Sequence, residues 1–332
     1  YNANIYPEDK CWLFFDEIQY ADDWELYLKV FYDSKPYVYI TSTGSASPVI
    51  EKGAGDSGVG RWNIIRIPTL SFYEYCKLTG LKDALKLNAD VKPTSLASLN
   101  KKTQTEIMNL LAPLQKHFTR YLAVGGFPEL VLSNDDFGSQ RILREDVVDK
   151  VLKRDIPSLF NIRNSAVLEK VFLYLCFHSS NIINTSTISK ELDGTPRATI
   201  DNYIEFLERS NLIYRSMPVE LAGKTILKAV PKIYISDAAI RNAVLMQNID
   251  DMISDPNEMG LIAETAVYKH LASFYYPSQA KVGYYRKPGQ ISKEIDIVVD
   301  YPTGKILIEV KYRENPVIKA DDAIAELANS EK

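Results

Sequence analysis

Two groups of residues in this chain have the types and spacing for chemistry on phosphates. The first is Asp16 and Glu17, inside CWLFFDEIQ at positions 11–19. Five apolar residues in succession, Cys11 to Phe15, predict a central parallel strand covered on both faces that delivers acids at its C-terminal edge. With two acids at one strand end, Asp16 can hold a magnesium ion that bridges phosphates, and Glu17 can polarise the attacking water. Apolar residues followed by Asp-Glu form a Walker B pattern, although a solvated strand end has the same composition. The second group is Glu264, Asp296, Glu309 and Lys311. Glu264 falls on a helix, Asp296 on a strand (EIDIVVD), and Glu309 and Lys311 on the next strand (KILIEVKYR). Residues two apart on a strand project from one face, so Glu309 and Lys311 are expected to point together, beside Asp296. Asp296 and Glu309 could then hold magnesium, an oxygen-seeking ion. The metal would activate water, and the lysine would orient or deprotonate that water and offset phosphate charge. E-x-K alone is common and also arises from alternating surface charge.

The elements around these residues follow from local patterns. Residues 37–47, YVYITSTGSAS, predict another buried strand, which carries Thr41, Ser42 and Thr43 to its end, within reach of a γ-phosphate or its water. Residues 60–75, GRWNIIRIPTLSFYEY, place Arg61 just before a third apolar strand, Ile64 to Ile67, closed by Pro68. An arginine there neutralises developing phosphate charge in its own site or a neighbour's, or is simply a surface arginine. Residues 94–160 read as helical, with PLQKHFTRYLAV ended by Gly125 and Gly126, and QRILREDVVDKVLKRDI as a second helix. From Ser165, the sequence puts Val167, Leu168, Val171, Phe172, Leu175 and Cys176 on one face of a core helix. Residues 185–217 predict a short helix, a turn at DGT, and a longer helix with Thr195 as N-cap and Pro196 at its first position. A strand from Leu212 to Arg215 completes the winged-helix order. Asp255, Pro256 and Asn257 mark a boundary, followed by helix, three strands and a helix.

The ordered set FFDEIQ, ITSTGSAS, GRW and IPTLSFYEY resembles a prokaryotic group of AAA-type ATPases. That group carries a Walker B, a sensor strand ending in Thr-Gly-Ser, a Gly-Arg pair and a Pro-Leu-Ser-Phe-x-Glu strand, one after another. YLAVGGFPE, from Tyr121 to Glu129, is similar to the group's lid region, and KIYISDAAIR to the strand and helix after its winged helix. The resemblance implies ATP and magnesium as cofactors, with Asp16 on the metal, Glu17 on the water, and Thr41, Ser42, Thr43 and Arg61 around the phosphates. It also implies a nuclease-like C-terminal domain, and ring-type homo-oligomers are common in such proteins. Two departures stand out. Thr69 precedes Leu70 in PTLSF, and G-x-x-x-x-G-K-S/T, whose amides and lysine hold phosphates, occurs nowhere in the sequence. This exact chain is therefore expected to bind ATP poorly and to be part of a longer protein.

The frame D-x12-E-x-K from Asp296 to Lys311, with Glu264 upstream, resembles the PD-(D/E)xK nuclease superfamily. That likeness implies metal-dependent cleavage of DNA or RNA, with Glu264, Asp296, Glu309 and Lys311 catalytic and Asp296 and Glu309 on the metal. The superfamily core continues with one more strand, which is expected to be missing here.

Composition bounds these readings. A net charge of −4 gives no bulk attraction for nucleic acid, so any such contact must be local. Across 185–215, four basic side chains stand against five acidic ones, and Asp201 and Glu205 sit on the second helix, which argues against a DNA-reading face and leaves protein packing at least as good a reading as DNA binding. Cys11, Cys76 and Cys176 are scattered and odd in number, which fits a reducing compartment and neither disulfides nor zinc. His117, His178 and His270 are equally dispersed. No run of 18 apolar residues exists, and no signal peptide, so a cytoplasmic, membrane-free protein is expected. The expected architecture is multidomain α/β: a partial AAA-type parallel-sheet core (1–90), a helical lid (91–163), a winged-helix region (164–254) and a nuclease-like α/β domain (255–332). The expected activity is ATP hydrolysis by the longer protein, coupled to nucleic-acid processing. The alternative is a nucleotide-gated regulator or adaptor that only binds partners.

Overall fold

The computed structural model describes residues 10–44, 62–81, 95, 98–133, 135–162, 165–219, 229–278, 280–287, 293–302, 304–313 and 316–330. The apolar run Cys11–Phe15 forms strand β1, helix α1 spans Trp24–Ser34, and β2 spans Val38–Ser42. The two strands pair in parallel, from Cys11 opposite Val38 to Phe15 opposite Ser42. One face of the pair packs on Trp24 and Leu28 of α1, with Phe15, Ile40 and Trp62 alongside. The other face is open: Trp12 and Phe14 are 57% and 76% exposed, and Trp12 stacks on Tyr39. Cover on both faces, expected from the unbroken apolar run, is not met among the described residues, because α1 shields one side only. The third expected strand, Ile64 to Ile67, also does not form. No described strand pairs with this segment, and Ile65 and Ile67 face solvent.

Helix α2 (Phe72–Leu78) starts on a capping box. The Ser71 side chain accepts the Glu74 N–H, and the Glu74 carboxylate accepts the Ser71 N–H. Helices α3 (Lys101–Leu111), α4 (Gln115–Val124) and α5 (Pro128–Leu132) follow. Gly125, at φ 73°, ends α4 as the double glycine predicts. Beyond α6 (Asp136–Ile142) the backbone widens into π-type turns at Leu143–Asp149 and Val151–Asp155, then tightens into α7 (Ile156–Phe160). The sequence predicted one regular helix here.

Helix α8 (Ala166–Phe177) buries Leu168, Val171, Phe172, Leu175 and Cys176, the face its periodicity foretold. Each large apolar side chain buried there is worth roughly 1.5–3 kcal/mol. The face packs against α9 (Thr185–Glu191) and α10 (Arg197–Arg209), over a sheet of β3 (Asn181–Ile182), β4 (Ile213–Ser216) and β5 (Lys232–Ile235). The sheet is antiparallel, in the order β3-β5-β4. Pro196 takes the N-cap position of α10, one residue later than expected, because the Thr195 hydroxyl donates back to the Leu192 carbonyl.

Helices α11 (Ala238–Leu245), α12 (Ile249–Ser254) and α13 (Pro256–Tyr275) lead into strands β6 (Lys281–Arg286), β7 (Glu294–Tyr301) and β8 (Gly304–Ile308), then α14 (Ala323–Ser330). The sheet is antiparallel with β7 central. The pairing of β7 with β6 shifts register between Gly283 and Tyr285, a bulge that breaks strict alternation and lets Ile295 and Val298, three apart, share a side. Ile295 and Val298 meet Ala323 and Leu327 of α14, whereas Ile297 meets Tyr268 of α13 and Tyr234 of β5. The last sheet is thus sealed against the central one. Because β8 ends at Ile308, Glu309 and Lys311 lie beyond its ladder and not within it as predicted. Among the described residues, no helix is long and apolar enough to cross a membrane.

Candidate functional site

The chain leaves β1 through Asp16 and turns sharply at Glu17, which holds a left-handed conformation (φ 51°). Thr43, one residue past β2, organises this turn. Its N–H donates to the Phe15 carbonyl at 2.8 Å, and its carbonyl accepts the Ile18 N–H at 3.0 Å. Its hydroxyl donates to the Asp16 carboxylate and accepts the Glu17 N–H. Parallel pairing is what brings two strand ends, 27 residues apart in sequence, to one edge. The Glu17 carboxylate accepts from the Gln19 amide at 2.5 Å, and both acids are exposed. Ser42 lies opposite Phe15, and its Oγ is buried with no hydrogen-bond partner among the described residues. Thr41 pairs with Phe14 on the open face, away from the turn. Arg61 lies outside the described residues. Sequence reading overlooked Tyr20, whose hydroxyl contacts Arg154 at 3.3 Å and Asp155 at 3.4 Å, bringing a cation from the π-type turns to the acid edge. The carboxylates of Asp16 and Glu17 at this edge offer oxygen atoms, the kind of donor magnesium takes.

The C-terminal group converges as well, with additions. Glu264 on α13 and Asp296 on β7 face one another across an ammonium group, that of Lys232 at the start of β5. Lys232 Nζ lies 2.7 Å from Glu264, 3.0 Å from Glu294 and 3.6 Å from Asp296. The Tyr234 hydroxyl donates to Glu264 at 2.8 Å, and Arg286 donates to Glu294 at 2.8 Å. The Val310 N–H donates to Asp296 at 2.9 Å, while Lys311 pairs with Glu309. Burial alone would pull Lys232 down, but Glu264, Asp296 and Glu294 outweigh it and push it up to about 12. Burial raises the Glu264 carboxyl, opposed by Lys232, and burial also raises Glu309, opposed by Lys311. Lys232 and Glu294 were missed in the sequence. The available signal was a lysine heading KIYI, a strand buried along its whole length, where a charge must find partners.

Comparisons with known proteins follow this division of the chain. Residues 1–76, which include the acid edge, match the model of an AAA domain. The N-terminal segment is thus similar to an AAA domain. Beyond the AAA match, residues 115–251 match a domain of unknown function (DUF8612), and residues 259–332 match another (DUF4143). An uncharacterized protein of Methanocaldococcus jannaschii, MJ1544, is 27% identical over 92% of this chain and 62% of its own length. An uncharacterized protein of Haemophilus influenzae is 24% identical over 70% of this chain and 52% of its own. A second Methanocaldococcus jannaschii protein, MJ1637, is 24% identical over 93% of this chain and 63% of its own. The chain thus spans between about half and two thirds of these relatives. No solved structure matches it significantly.

Proposed function

We propose that this chain carries the hydrolytic acids of an ATP-binding AAA-type protein, with ATP and magnesium as ligands. The observation that carries the reading is the Asp16–Thr43 hydrogen bond, which joins two parallel strand ends inside the AAA match. Asp16 would hold magnesium through its remaining oxygen, with its carboxylate oriented by Thr43. Glu17, exposed and turned outward by its left-handed backbone, would position and polarise the attacking water. Magnesium, when bound, supplies charge neutralisation at the phosphates. Ser42 and Arg61 are proposed as phosphate-side groups.

Phosphate release by the full-length protein, with ATP and magnesium, tests this. Glu17→Gln is expected to lower turnover by about 10²-fold while ATP still binds. Unchanged turnover would overturn the reading.

The order β3, α9, α10, β4, β5 supports a winged-helix reading, and its acidic balance favours packing on protein. The order α13, β6, β7, β8, α14 supports a nuclease-like reading of the C-terminal module. For that module, a role in binding without turnover, as in a regulator or adaptor, is favoured over DNA or RNA cleavage by Lys232 lying among the acids.

A further inference from the structure

Likeness to metal-dependent nucleases implies a divalent ion between Asp296 and Glu309. The residues present do not fit one. Lys232 reaches in from the central sheet, and its side chain is only 3% exposed. An ammonium has three donors, and three carboxylates, those of Glu264, Glu294 and Asp296, surround this one. Further donors take up several of the oxygens a metal would need. Asp296 Oδ2 accepts the Val310 N–H, Glu294 Oε2 accepts from Arg286, and Glu264 Oε1 also accepts from Tyr234. Glu309 is paired with Lys311. Four carboxylates here face three cations, so a divalent ion would leave the cluster with excess positive charge and set a second cation against Lys232. Among the described residues, no group of three or more His, Cys, Asp or Glu side chains is arranged to hold a metal.

We infer that Lys232 is the resident cation of this cluster, standing where a nuclease would hold its metal, and that it locks the C-terminal module to the central sheet. The three acids come from α13 and β7, and the lysine from β5, so the lock crosses between two sheets. It depends on residues other than those of the acid edge, and a failed ATPase assay leaves it untouched.

The experiment compares Mn2+ binding, by electron paramagnetic resonance, to Asp16→Asn and to the same variant with Asp296→Asn added, so that Asp16 at the acid edge contributes to neither. No Mn2+ dependent on Asp296 is expected at millimolar metal. Thermal melting of Lys232→Met and Lys232→Arg tests the lock. The methionine variant leaves buried acids unpaired and is expected to lose about 10 °C or fail to fold, while arginine, which keeps the charge, retains most of the stability. One bound Mn2+ that vanishes in Asp296→Asn overturns the inference. So does a Lys232→Met variant that melts with the unmodified chain.

Discussion

Lys269 of α13 and Asp237, the residue before α11, form an ion pair at 2.7 Å with side chains 4% and 1% exposed. Every donor of the ammonium is used, since Lys269 also donates to the Leu70 carbonyl and the Tyr121 hydroxyl, each at 3.0 Å. Asp237 in turn accepts from the Thr69 hydroxyl at 2.6 Å and the Gly126 N–H at 3.1 Å. Three segments that stood apart in the sequence, PTLSF, YLAVGGFPE and KIYISDAAIR, therefore meet at one buried charge pair with α13. Thr69, a departure from the related pattern, is one of the hydroxyls that satisfy it.

Breaking this pair should be costly, because either partner alone is a buried, uncompensated charge. Asp237→Asn or Lys269→Met is expected to lose about 3–5 kcal/mol in urea unfolding. The double variant should lose less than the two single losses added together. Strict additivity would show that the two groups do not act as a pair.

Gly125 has a conformation (φ 73°, ψ −160°) that side-chain-bearing residues avoid. A Cβ there would also lie 2.1 Å from Asp237 Oδ1. Gly125→Ala should cost roughly 2 kcal/mol or more. Gly80 is a control: its φ is also positive, 80°, but a Cβ there meets nothing within 4 Å. Gly80→Ala should cost about 1 kcal/mol, and equal losses at the two positions would remove the packing argument.

His270 should make stability depend on pH. Its Nε2 accepts the Phe72 N–H at 2.8 Å, and its Nδ1–H donates to the Ala266 carbonyl, so the folded ring is neutral. Burial depresses its proton affinity, and Lys269 adds to this. The unfolded chain binds the proton more readily, so stability is complete above the ordinary histidine value and falls as pH drops through it. Melting at about pH 7.5 and about pH 5.5 brackets that value. His270→Gln should flatten the difference, and an unchanged slope would assign it elsewhere.

Thr43 and Thr41 differ in role although they are two residues apart. In the full-length protein, Thr43→Val should weaken magnesium-dependent turnover about 10–100-fold, because Asp16 loses its orienting donor. Thr41→Val, on the open face, should leave turnover nearly unchanged. Steady-state kinetics against magnesium concentration separates the two.

Burial changes the chemistry of two thiols without giving them a task. Cys76 and Cys176 are buried, and burial raises both above the usual thiol range, which keeps them protonated and unreactive.

By itself the sequence determined what local forces decide. Apolar runs and their periodicity located β1, β2, the buried face of α8, and the α13-to-α14 succession. The identities Asp16-Glu17 and Asp296…Glu309-x-Lys311 named the chemistry to look for. Only the tertiary structure decided which partners those residues meet. Ile64–Ile67 had the composition of a strand, but a strand needs a neighbouring ladder, and none among the described residues provides it. Glu309 and Lys311 passed beyond β8 because ladder pairing stops at Ile308. Lys232 entered the acid cluster from 62 residues before Glu294, and Asp237 met Thr69 across 168. Periodicity cannot foresee such contacts, because the energy that places a buried charge comes from partners distant in the chain and near only once it has folded.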